Sequence, residues 1–187
     1  MALGKTIYKK DCKVAIAVMA LAILLAIPLG FLRTMYRFYN DLEQEFYQGA
    51  YQDGLSIQSD LEERMLLAQN LVTVARRYLD AEDPSIAQTL QARLDLENAQ
   101  TPSEKYQANN RLTDATAILY ETLGNAPLSE KDQDYRRSLY ADLLSRNDTI
   151  SHDPYNRLAL EYNQKLDGFP AGLLAQLLGV PKAELFQ

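Results

Sequence analysis

Nineteen consecutive residues, Val14 to Leu32 (VAIAVMALAILLAIPLGFL), carry no charge and no strongly polar side chain. As a helix rising about 1.5 Å per residue, such a run covers roughly 29 Å, close to the ~30 Å hydrocarbon core of a bilayer. It predicts a membrane anchor, with a water-soluble body attached at one end. Pro28 and Gly30 fall inside the run, and both are tolerated in membrane helices because neighbouring groups re-satisfy the backbone. A cleaved signal peptide shares the basic start and the apolar core. The run is long for a signal core, however, and its end (IPLGFLRTMY) lacks the small-x-small pattern of a cleavage site, so the anchor reading is preferred.

Charge is divided around the run. Residues 1–13 hold Lys5, Lys9, Lys10 and Lys13 against Asp11, a net of +3. Beyond it stand fifteen basic and twenty-four acidic residues, a net of −9. Four lysines against Arg33 and Arg37 on the far flank predict a cytoplasmic N-terminus and an extracytoplasmic body. Tyr8 on one side and Phe31, Tyr36, Phe38 and Tyr39 on the other match the aromatic belts of a membrane interface. The acidic body argues against nucleic acid, whose phosphates call for clustered Lys and Arg. The pairs Arg76–Arg77 and Arg136–Arg137 read as solvated helix surface. Cys12 is the single cysteine, which excludes an intrachain disulfide and a cysteine zinc site. It precedes the apolar run, so it reads as a plain thiol.

The body reads as helical. Leu61, Met65, Ala68, Val72, Ala75 and Leu79 recur at a period of 3.5, the seam of a helix packed on near-parallel neighbours. This first helix is expected from about Arg33 to Leu79, with Gly49 and Gly54 as its weak points. Asp83-Pro84 opens a second, to about Asn98, with Ile86, Leu90 and Leu94 as its apolar side. Thr101-Pro102-Ser103-Glu104 is a capping box opening a third, to about Leu123, with Ala108, Leu112, Ala115 and Leu119 facing the core. Ser129 and Asp132 open a fourth, with Tyr135, Leu139, Leu143 and Leu144. At Asp153-Pro154 either a new helix begins or one long helix kinks. Beyond it Tyr155, Ala159, Tyr162, Leu166 and Phe169 continue the stripe, until Gly168 and Pro170 stop it. No stretch alternates with period two, so no sheet is expected.

Short connections between amphipathic helices predict an all-α fold: one N-terminal transmembrane helix, then an antiparallel four-helix bundle. The expected organisation is a basic segment (1–13), the transmembrane helix (14–32), the bundle (33–168) and an apolar tail (169–187). The tail begins FPAGLLAQLLGVP, uncharged over thirteen residues and too short to span. It reads as a cap over the bundle's open end, or as a segment resting Leu173, Leu174, Leu177 and Leu178 among lipid headgroups.

Tyr155-Asn156, Tyr162-Asn163 and Phe169-Pro170 form a series at intervals of seven that resembles the C-terminal signature of the LemA family. Tyr39-Asn40-Asp41-Leu42, Gln69-Asn70-Leu71-Val72, Thr101-Pro102-Ser103-Glu104-Lys105 and the tail LLAQLLG resemble further family elements, in the same order. Gln69 stands where the family usually has proline, and Pro154 where it shows an unbroken helix. The resemblance implies a single N-terminal membrane helix and a four-helix domain in a bacterial membrane, and carries over no molecular activity. Physically, intervals of seven place Tyr155, Tyr162 and Phe169 on one side of a helix. Asn156 and Asn163, one step round, are expected to fix register with polar partners on a facing helix.

Chemistry is sparse. His152 is the one histidine and reads as a turn residue. Acidic pairs such as Glu62–Glu63, and Asp80, Glu82 and Asp83, read as solvated faces and helix ends rather than a calcium loop. No nucleophile–base set, HExxH spacing or phosphate loop occurs. The sequence therefore predicts a non-enzymatic protein with no catalytic, cofactor-binding or metal-binding residues and no cofactor. Its expected partners are the lipid bilayer, through residues 14–32, and other proteins; a homo-oligomer is left open. The expected role is an interaction or scaffold module, the alternative a ligand-sensing or transport-accessory bundle.

Overall fold

The computed structural model describes residues 2–50 and 54–187, the side chains of residues 2–11 excepted, and seven α-helices make up most of that backbone. The side chains of Lys5, Tyr8, Lys9, Lys10 and Asp11, on which the flank reading partly rests, lie outside the described residues. The helices are α1 (Ala2–Gln48), α2 (Ile57–Ala75), α3 (Pro84–Asn98), α4 (Pro102–Gly124), α5 (Glu130–Ser151), α6 (Tyr155–Asp167) and α7 (Ala171–Leu178). Among the described residues there is no strand.

The helix starts follow from their capping chemistry. The Asp83 carboxylate accepts from the Ser85 amide at 2.9 Å, with Pro84 at the first helical position. At α4 the Thr101 hydroxyl accepts from the Glu104 amide, and the Glu104 carboxylate accepts from the Thr101 amide, closing the capping box. The Ser129 hydroxyl accepts from the Asp132 amide at 3.1 Å. Each cap satisfies amides that the first helical turn leaves without intrahelical partners.

The expected long helices are shorter than their apolar patterns. The first divides into α1 and α2 at Gly49 and Gly54, both at φ +79°, the left-handed region open to glycine. It ends at Ala75 rather than Leu79. At Pro154 the chain begins a new helix instead of kinking one: α5 stops at Ser151, and α6 starts after Asp153, whose carboxylate accepts from the Tyr155 amide at 2.8 Å. The tail contains a helix of its own, α7. Gly172 makes room for it: a side chain there would meet the Leu166 carbonyl oxygen at 2.9 Å.

The chain forms two compact units, Met1–Asn40 with Glu161–Lys182, and Asp41–Leu160 with Ala183–Gln187. In the second unit α2 packs on α3, α4 and α5, and α3 packs on α4. Its core gathers Leu67, Leu71, Val72, Ala75, Ile86, Leu119, Leu123 and Leu143. Each of the leucine, isoleucine and valine side chains contributes about 1.5–3 kcal/mol on burial. The apolar seam of α2 includes Ile57, Leu61, Arg64, Ala68, Leu71 and Ala75. The predicted seam ran through Met65, which is only half-buried. In the first unit Met35, Tyr162, Leu166 and Ala175 are buried. From Val14 to Leu29, by contrast, the large apolar side chains of α1 are exposed.

Candidate functional site

Two polar constructions occupy the second unit. The first is a layer inside the helical body. Arg64 replaces an apolar residue in the α2 seam and is 1% exposed. Its guanidinium donates to the Leu143 carbonyl at 2.5 Å and the Thr113 hydroxyl at 2.7 Å, while its Nε has no partner. Burial lowers its pKa to about 10, and nearby Asp60 opposes the shift. Asp60, one turn earlier, accepts from Arg146 of α5 at 2.9 Å. Asn109 of α4 donates to the Asn147 carboxamide oxygen at 3.0 Å. The layer thus ties α2, α4 and α5 together at one level. Sequence reasoning passed over it because charged side chains were assigned to the surface. The available signal was that Arg64 falls at the 3.5-residue period between Leu61 and Ala68.

The second construction is a strap. Residues 183–187, extended after α7, return to the second unit, where Ala183 and Phe186 are buried. Phe186 enters an aromatic cluster, with ring centroids 6.0 Å from Phe46 and 5.3 Å from Tyr106. Phe46 in turn meets Tyr155 edge-on at 4.9 Å, a geometry favoured by the ring quadrupoles. The Tyr155 hydroxyl donates to the Glu184 carbonyl at 2.8 Å. The Asn156 carboxamide grips Phe186 at both ends, donating to its carbonyl at 2.9 Å and accepting from its amide at 2.8 Å. In the first unit, the Tyr162 hydroxyl likewise donates to the Pro181 carbonyl at 3.1 Å.

This corrects the reading of the YN-YN-FP series. Tyr155 and Tyr162 are buried, as their spacing predicts. Asn156, however, binds the backbone of the chain's own C-terminal segment, not a facing helix. Asn163 lies half-buried on α6. Phe169 leaves the row altogether and is 91% exposed, because α6 ends at Asp167. Nothing in the composition of residues 183–187 marks them as an inserted strap; only long-range packing does.

Beside the strap lies a cleft of about 400 Å³, lined by Tyr106, Asn110, Asn147, Asp153, Asn156 and Phe186 among others. Most of its polar groups already serve the protein. Asn147 accepts from Asn109, Asn156 holds Phe186, and Asp153 caps α6. Burial pushes the Asp153 carboxyl up, against the bond from the Tyr155 amide, and Asp60 adds to the rise. The cleft reads as a seam around the strap.

The remaining sequence candidates are distributed through the fold. His152 caps the end of α5, exposed, with its Nδ1 2.8 Å from the Asp148 carbonyl oxygen. Asp80 accepts from the Glu82 amide at 3.2 Å within a turn. Cys12 is exposed on α1. The arginine pairs do more than solvate a surface. Arg77 pairs with Asp132 at 2.8 Å, and the Arg136 guanidinium lies 3.7 Å from the centroid of the Tyr120 ring. Among the described residues, no group of three or more His, Cys, Asp or Glu side chains is placed to hold a metal ion.

One N-terminal helix long and apolar enough to cross a membrane, followed by packed helices and a strap held by a Tyr-Asn pair, defines an all-helical protein with a candidate membrane anchor. Residues 55–187 match the model of the LemA family, and the chain belongs to that family. No curated protein matches it.

Proposed function

We propose that this protein is a single-pass membrane-anchored module whose helical body serves as a non-enzymatic platform for protein partners. The carrying observation is α1. Its side chains Val14, Leu21, Leu24 and Leu29 are all more than half exposed, and they belong to an apolar run of bilayer length within the helix. Lipid is the environment that satisfies both the length and the exposure. In this reading α2 to α5 form the antiparallel four-helix bundle that their short connections favour. The N-terminus is cytoplasmic, and the body stands outside the bacterial cytoplasmic membrane.

Three measurements test the reading. Carbonate extraction should leave the full chain in the membrane pellet. Leu21→Arg with Leu24→Arg should release it, each arginine costing about 3 kcal/mol at the bilayer centre. Release of the unmodified chain overturns the anchor. For orientation, an impermeant maleimide should label Cys12 in intact cells only after permeabilisation, whereas the Cys12→Ser, Ser145→Cys variant should label without it; the reverse pattern inverts the topology. A pull-down from detergent-solubilised membranes should return a defined partner lost with the body's folding. A small molecule that instead raises the melting temperature turns the reading towards ligand sensing.

A further inference from the structure

The first unit carries an apolar row with no protein cover. Leu173 and Leu177, four residues apart, align along one side of α7, and Phe169 stands just before the helix begins. They are 91%, 65% and 77% exposed, while Ala175 on the other side is buried. From Gly168 to Pro181 there is no charged residue. Asp167 and Lys182 bound the segment, and their side chains pair at 2.8 Å.

Contacts of α6 within the same unit set the level on α1 from which α7 starts. The Tyr162 ring meets Tyr39 at 6.0 Å, and the Lys165 ammonium sits 4.0 Å from the centroid of Phe38. As α6 advances towards α7, its contacts on α1 step back towards the apolar run. Phe38 is six residues beyond Leu32, about 9 Å along the helix axis. Met35, halfway between, is buried, and Phe31 and Leu32 are half-buried where Leu24 and Leu29 are exposed. The level reached is the headgroup zone, about 5–8 Å deep on each face of the hydrocarbon.

We infer that Phe169, Leu173 and Leu177 form a second lipid contact, an interfacial foot that lies in the headgroup–acyl boundary of the leaflet from which α1 emerges. The occupant is the bilayer, because the row is uncharged, exposed and carried by the same compact unit as the exposed apolar run of α1. An interfacial helix buries its apolar side about 5–10 Å into that boundary. The inference rests on the reading of Val14–Leu32 as the membrane span.

The chain has no tryptophan, so single-tryptophan variants report depth without background. The full-length variants Phe169→Trp, Leu173→Trp, Leu177→Trp, Leu21→Trp and Leu144→Trp are reconstituted in phosphatidylcholine–phosphatidylglycerol vesicles containing lipids brominated along the acyl chain. Leu21 reports the span, and Leu144 an exposed site of the second unit. The expected result is a blue-shifted emission and bromine-dependent loss of intensity at 169, 173 and 177, intermediate between Leu21→Trp and Leu144→Trp. Unquenched, red emission at all three positions, with Leu21→Trp quenched, overturns the foot and leaves the anchor standing. Blue-shifted emission without quenching there assigns the row to a protein partner or a second copy and also overturns it. An unquenched Leu21→Trp removes the anchor and the foot together. Unchanged helical circular dichroism of Phe169→Trp, whose side chain is almost fully exposed, separates any of these outcomes from misfolding.

Discussion

Arg64 holds a guanidinium inside the helical body with neutral acceptors, the Leu143 carbonyl and the Thr113 hydroxyl, as its direct partners. A buried cation retained this way is costly to desolvate, and its pKa falls to about 10 accordingly. Truncation removes the cost of the charge but leaves a void and takes a hydrogen bond from the Leu143 carbonyl and the Thr113 hydroxyl. Arg64→Ala is therefore expected to lower the unfolding free energy by about 2–5 kcal/mol. Arg64→Met, which refills the space, should lose less, since apolar replacement of a buried charge is often neutral. Urea unfolding of both variants decides it; equal losses would mean that the hydrogen bonds outweigh the packing. The contrast between Arg64 and Met65 also marks a limit of sequence reading. Both fit a period of 3.5, and hydropathy selects Met65. The neighbours that make Arg64 affordable come from α4 and α5, 49 and 79 residues away in the chain.

At the scale of elements, the helix boundaries were largely legible, because caps act over three or four residues. Asp83, Thr101 and Ser129 each start a helix where their spacing to Pro84, Glu104 and Asp132 predicted. The strap was not legible, because its partners lie far upstream on α1, α4 and α6. Asn156 is the residue on which it most directly depends: two hydrogen bonds join one carboxamide to both backbone groups of Phe186. Asn156→Ala is expected to cost about 1–3 kcal/mol and to speed hydrogen exchange at the Phe186 amide well beyond the change at helix α4. Exchange at Phe186 as slow as in the unmodified chain would show that the aromatic cluster alone holds the strap.

For the whole molecule, two carboxyl groups give pH dependence opposite signs. Asp132 accepts from the Tyr78 hydroxyl at 2.5 Å, interacts with the Ser129 hydroxyl and pairs with Arg77, and these partners hold its pKa below the ordinary value. Its stabilising contribution is present above the unfolded carboxylate pKa of about 3.9 and is lost as pH falls through the lower folded value. Asp153, raised by burial, works the other way: the fold favours its protonated form, so its cost appears as pH rises through and above the unfolded value. Asp132→Asn should flatten the acid limb of a stability profile measured between roughly pH 2 and 5. Asp153→Asn, which keeps a side chain suited to capping α6, should lower stability less at neutral pH than Asp132→Asn. A profile unchanged by Asp132→Asn would remove that carboxylate from the acid transition.

Local rules acting within a few turns determined the apolar run of 14–32, the caps and the all-helical class, because length, period and side-chain hydrogen bonding are properties of contiguous residues. Tertiary structure alone decided that Arg64 belongs to the core and that Phe186 closes the aromatic cluster. It also turned Phe169 outward at the end of α6. Those outcomes depend on neighbours far away in the chain, whose burial and hydrogen bonds offset costs that a single stretch of sequence shows only as an exposed charge, a polar tail or an apolar ring.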